Sequence, residues 1–130
     1  MNEPLESDWK KFRTMLPVWR ERYLAEKNPR IAAVLTETNQ TPTDRFWRAE
    51  RWIVKEARTL QRCFDDIRRS TMRVRLVEMR GAGVIRREDL NEFSQELQNQ
   101  VFHDLIQEEG WQPVRNLRNA PADDEARQAE

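Results

Sequence analysis

The sequence predicts an all-α fold: a single-domain bundle of about five helices, one of them long and central. Three observations carry that expectation. Good helix formers dominate, and glycine is scarce, with 3 in 130 residues. Apolar residues recur at three- and four-residue steps, and no stretch alternates as a half-buried strand would. Helix start and stop signals, Asn-Pro, Thr-Pro and Gly, punctuate those stretches. A chain of this length fits one domain with a core large enough to fold without disulfide or metal staples. The expected domain covers residues 1–118. The small, polar, acidic stretch 119–130 reads as a disordered tail.

The first helix is expected to start at a cap on Ser7 or Asp8 and to run to about Lys27. Trp9, Phe12, Leu16, Trp19 and Tyr23 fall within an arc of roughly 80° at about 100° per residue. Pro17 should kink or split that helix. Asn28-Pro29 reads as a second start, opening a short helix with Ile31, Ala32, Val34 and Leu35. The polar run Thr36 to Gln40 reads as a loop.

Thr41-Pro42-Thr43-Asp44 is the strongest local signal. Thr41 caps, Pro42 takes the first helical position, and Asp44 places an acid in the first turn. The helix it opens should be the long one, reaching about Arg68. Its expected core stripe is Phe46, Ile53, Ala57, Leu60, Phe64 and Ile67, with Trp47 and Trp52 on either flank.

Arg69-Ser70-Thr71 should bend the chain, with Ser70 or Thr71 capping a fourth helix built on Met72, Leu76, Val77 and Met79. Gly81 fits a left-handed position after its last turn, from which Val84 and Ile85 fold back. A fifth helix is expected from about Arg87 to Glu109. Leu90, Phe93, Leu97, Val101 and Leu105 form its inner face; Glu88, Glu92, Gln95, Glu96 and Asn99 lie opposite. Gly110 should end it, and Trp111 and Pro113 should fold back as a short anchor. Helices of this kind favour near-parallel packing at about 20°.

Charge is balanced overall but not along the chain. Residues 45–87 hold thirteen basic and five acidic side chains, net +8; residues 88–130 hold three and eleven, net −8. The start of the chain is acidic with no apolar stretch, and no run approaches the ~20 apolar residues that span a bilayer. Cys63 is the only cysteine, which excludes an intramolecular disulfide. The expected compartment is the cytoplasm.

Residues that carry catalysis are sparse, and the expectation is a non-enzymatic protein without cofactor or metal. His103 is the only histidine, so there is no His pair for a metal and no HExxH motif. Cys63 precedes core Phe64 and reads as a packed thiol. Gly81-Ala82-Gly83 follows a helix and lacks the third glycine of a dinucleotide loop. Around it, the positions that would ligate calcium hold Glu78, Arg80 and Ala82, and Arg and Ala cannot coordinate the ion. Asp65 and Asp66, being adjacent, point about 100° apart and form no acid/base dyad.

The most unusual feature is a basic stripe on the third helix. Arg48, Arg51, Lys55, Arg58 and Arg62 project within roughly 80° of one another and span about 21 Å. Their three- and four-residue steps set like charges side by side, at a cost of a few tenths of a kcal/mol per pair. Three readings compete. The stripe is a solvated face, or it meets carboxylates of a protein partner or of a second copy, or it binds nucleic-acid phosphates. The acidic last third weighs against the third reading, because an attached polyanion competes for the same residues. The arginines are not interleaved with aromatics, as a base-stacking platform requires. Glu88-Asp89 at the start of the fifth helix likewise argues against a helix-turn-helix DNA reader. The aromatic face of the first helix is better used in a core than on a membrane. The expected function is therefore a protein–protein interaction or adaptor module, with self-association included. Arg48, Arg51, Lys55, Arg58 and Arg62 would make the contact, with Trp47 and Trp52 beside them.

Overall fold

A computed structural model describes residues 4–109, with side chains as far as Gln107. The expected tail from residue 119, and the expected anchor at Gly110, Trp111 and Pro113, lie outside the described residues. Within them the chain is an all-α bundle. It comprises α1 (Glu6–Leu35), α2 (Pro42–Phe64), α3 (Met72–Ala82) and α4 (Gln95–Glu109), with 3-10 segments at Arg69–Thr71 and Arg87–Glu92.

The first two expected helices are one. α1 runs 30 residues with Pro17 and Pro29 both inside it. Each proline removes a hydrogen bond to the carbonyl four residues earlier. Those carbonyls belong to Arg13 and Ala25, two exposed residues, a setting in which water can take the place of the lost donor and a helix can pass through a proline. Asp8 is not its cap. It sits buried in the first turn, where its carboxylate accepts the Ser94 N–H at 2.9 Å and the Ser94 hydroxyl at 2.7 Å. Ser94 Oγ in turn accepts the Leu97 N–H at 3.2 Å. The start of α4 is thus fixed to the start of α1 across 86 residues of sequence.

α2 begins as expected. Thr41 Oγ1 accepts the Asp44 N–H at 3.1 Å, and Pro42 occupies the first turn. It ends at Phe64, earlier than the expected Arg68. Asp66 turns the chain with φ of 52°, a left-handed conformation that Asp tolerates better than most residues. The turn is held by the Arg68–Asp66 ion pair at 2.7 Å and by the Thr71 hydroxyl, which donates to Asp66 O at 2.7 Å.

α3 ends one half-turn later than expected. Gly83, not Gly81, takes the left-handed position, with φ of 81°. Val84 N–H then donates to Met79 O at 2.9 Å, and Val84 and Ile85 fold into the core. The expected fifth helix is broken at Phe93, whose extended backbone swings its ring inward, and Ser94 starts α4 afresh.

The main core joins the first two-thirds of α1 (Trp9, Phe12, Trp19, Tyr23) to Cys63, Met72, Leu76, Met79, Ile85, Phe93, Leu97 and Val101. A second, small cluster holds Val34, Ala49 and Trp52, with Ile31 against it. α1 and α2 form an antiparallel hairpin. Its proximal half carries the main core, and its distal half is held by the small cluster.

Candidate interaction surface

The geometry of α2 is set by which of its residues face α1. Ala49, Trp52, Glu56 and Cys63 are buried, and Thr59 is half-buried. Glu56 accepts a short hydrogen bond from the Tyr23 hydroxyl of α1. Burial first, and the adjacent Glu56 carboxylate second, push the Tyr23 phenol well above its usual range. Burial likewise pushes the Cys63 thiol up to about 11, so it stays protonated and unreactive at neutral pH.

This inner face corrects the expected core stripe. Phe46 and Ile53 are 56% and 51% exposed. Leu60, Phe64 and Ile67 are only partly buried, at the edge of the main core. The buried face is turned toward the charged side, because α1 and the 36–41 loop supply partners for charge. Tyr23 serves Glu56. Glu37 pairs with Arg48, and its carbonyl accepts Arg45 Nη1 at 2.9 Å.

Helical geometry then assigns the remaining faces. Each residue just before an inner-face residue lies on one side of the hairpin. These are Arg48, Arg51, Lys55, Arg58 and Arg62, preceding Ala49, Trp52, Glu56, Thr59 and Cys63. Each residue just after, Ile53, Ala57, Leu60 and Phe64, lies on the opposite side, and Glu50 stands at the outer edge between the two rows. The cationic row and the apolar row are therefore back to back across one helix.

Not every expected site residue reaches the surface. Arg48 is 9% exposed and tied to Glu37; Trp52 is 8% exposed and packs against Val34 and Ala49. Both serve the hairpin. Lys55 is half-buried, its ammonium 5.5 Å from the Trp52 ring centre. Arg51, Arg58 and Arg62 are exposed, and none has a carboxylate partner among the described residues. The Arg62 carbonyl, at the end of α2, accepts Arg75 Nη1 at 2.8 Å. Glu50, Arg51, Val54, Lys55, Arg58, Thr59 and Arg62 border a shallow open groove of about 530 Å³ along α2. Trp47 is 52% exposed one turn before Arg51, with Phe46 edge-on to it at 4.9 Å.

The other arginines flanking this region are used inside the chain. Arg22 grips Asp89 with two hydrogen bonds, of 3.1 and 2.6 Å. Arg73 pairs with Asp104, and Arg75 with Glu78. In the sequence Asp89 reads only as an acid at the start of the expected fifth helix; its partner Arg22, 67 residues away, carries no local signal. Among the described residues, no group of three His, Cys, Asp or Glu side chains is placed to hold a metal ion. No described helix is long and apolar enough to cross a membrane. In comparisons with known proteins, the chain matches no family model, no curated protein and no solved structure.

Proposed function

We propose that this chain is a non-enzymatic interaction module that binds an acidic surface of a partner protein through the cationic side of α2. The observation that carries the reading is the state of Arg51, Arg58 and Arg62. All three are exposed, share one side of a helix and lack a carboxylate among the described residues. Seven residues border an open groove between them, and Trp47 stands at one end. Arginine suits this role because its planar fork binds carboxylates in pairs of hydrogen bonds. A bound carboxylate also relieves the repulsion along the row. The cytoplasm, as expected from the sequence, is the compartment this proposal assumes.

The test is the triple variant Arg51→Glu, Arg58→Glu, Arg62→Glu. These side chains are exposed, so circular dichroism should match wild type. Fluorescence anisotropy with a Glu-rich helical peptide should show binding to wild type that weakens with salt. The variant should bind at least ~10-fold less tightly. Equal binding by both proteins leaves the row a solvated face. A gel shift with nucleic acid that is steeply salt-dependent and lost in the variant replaces the reading with phosphate binding.

A further inference from the structure

The opposite side of the same hairpin carries a second contact surface. Phe46, Glu50, Ile53, Ala57, Leu60 and Phe64 follow one another in alternating steps of four and three residues. That is the spacing of a heptad seam, which a helix presents to another helix lying along it. α2 already has a seam for α1, in Ala49, Trp52, Glu56 and Cys63. The second seam has no use within the described residues at its distal end, where Phe46 and Ile53 are more than half exposed.

α1 repeats the pattern on the same side. Leu24, Asn28, Ile31 and Leu35 are again in steps of four, three and four. Leu24 and Leu35 directly follow Tyr23 and Val34, which face α2. In an antiparallel pair, the residues that follow the contact residues on each helix point to the same side. The hairpin therefore shows one flat side built of two parallel seams, with eight of their ten positions apolar. Leu35 at its distal end is 48% exposed. The remaining large exposed apolar residues (Leu5, Val18, Trp47, Val74, Phe102, Ile106) lie outside these seams.

We propose that this side seats the same side of a second copy of the chain, giving an antiparallel four-helix bundle about a two-fold axis near Ile53. A two-helix apolar side is complemented by another of equal width, and an identical hairpin supplies one under two-fold symmetry. An axis near Ile53 sets Phe46 of one copy against Leu60 of the other, and Glu50 beside the small Ala57. The arginine rows face away from this contact, so like charges do not meet. The area is sufficient. The exposed halves of Phe46, Leu35 and Ile53 amount to roughly 300 Å² per copy. With a polar rim of ordinary proportion the total reaches about 1,000 Å², the lower bound of a specific interface.

The inference is independent of the arginine row, and the experiment keeps the two apart. Sedimentation velocity over about 1 to 100 µM is run on wild type, Ile53→Glu, Phe46→Glu, Val18→Glu and the triple arginine variant. Wild type should be dimeric. Ile53→Glu and Phe46→Glu should raise the dissociation constant at least ~100-fold with unchanged circular dichroism, since both positions are already half in water. Val18→Glu and the triple arginine variant should remain dimeric. A wild type that stays monomeric at the highest concentration overturns the proposal, and so does a folded Ile53→Glu or Phe46→Glu that dimerises like wild type. Having two seam variants covers the case in which one fails to fold.

Discussion

Replacing Trp19 with alanine should destabilise the fold by about 3–5 kcal/mol, the largest effect expected of any single substitution here. Trp19 has no exposed surface and sits between α1 and the segment before α4. Its ring lies edge-on to Phe12 at 6.2 Å and against Phe93 at 6.3 Å, joining α1 to the segment that leads into α4. A domain of this size has only about 5–15 kcal/mol to lose, so the melting temperature should fall by roughly 10–20 °C. Trp19→Phe should cost much less. The indole N–H is buried with no acceptor among the described residues, and phenylalanine removes that group while keeping most of the ring. Urea unfolding of the two variants checks the order. A Trp19→Ala protein within about 1 kcal/mol of wild type would mean that the core is not assembled around this ring.

Asp89→Asn should cost about 2 kcal/mol at neutral pH, and the cost should disappear in acid. The carboxylate accepts both Arg22 hydrogen bonds and the Arg86 N–H at 2.6 Å, so it ties α1 to the 3-10 segment before α4. Burial opposes its ionisation. Its hydrogen bonds with Arg22 and with the Arg86 backbone outweigh that, and hold it below the usual carboxylate range. The direction fixes the pH window. A depressed folded-state value means stability that is fully present well above the unfolded value of about 3.9, and is lost as pH falls through the folded one. The difference between wild type and Asp89→Asn should therefore be constant from about pH 6 to 8 and close below about pH 4. Urea titrations at neutral and acid pH measure it. A difference that widened on acidification would contradict the assigned ion pair. Asp104, held low by Arg73, adds a smaller and more solvent-screened loss in the same window.

Local chemistry was legible in the sequence wherever the deciding partner lay nearby. Thr41-Pro42-Thr43-Asp44 starts α2 because cap and acceptor are three residues apart. Leu90, Phe93, Leu97 and Val101 are buried as their spacing implies. Two readings failed for a common reason. Asn28-Pro29 has the form of a helix start, yet the helix passes through where Ala25 is exposed, and exposure is a property of the assembled hairpin. Phe46 and Ile53 have the form of core residues, yet the inner face turned toward Arg48 and Glu56. Those charges found Glu37 and Tyr23, contributed by the loop and by α1. Periodicity reports that α2 has an apolar side. It does not report that α1 binds beside that side and leaves it open.

The candidate surface shows the same division. All five basic positions were visible as a row, but only the folded hairpin separates Arg48, held by Glu37, from the exposed Arg51, Arg58 and Arg62. Trp47 and Trp52, alike as flanking aromatics, part in the same way: one on the surface, the other between the helices.

Hydroxyl-radical footprinting compares the purified protein with the protein bound to its native partner, and tests the cationic side of α2 as the contact face most directly. Protection is expected at Trp47 and Val54, which lie beside and within the arginine groove, with the already buried Trp52 unchanged. Protection confined to the exposed α3 and α4 residues Val74, Phe102 and Ile106, with Trp47 and Val54 as reactive as in the free protein, would contradict it.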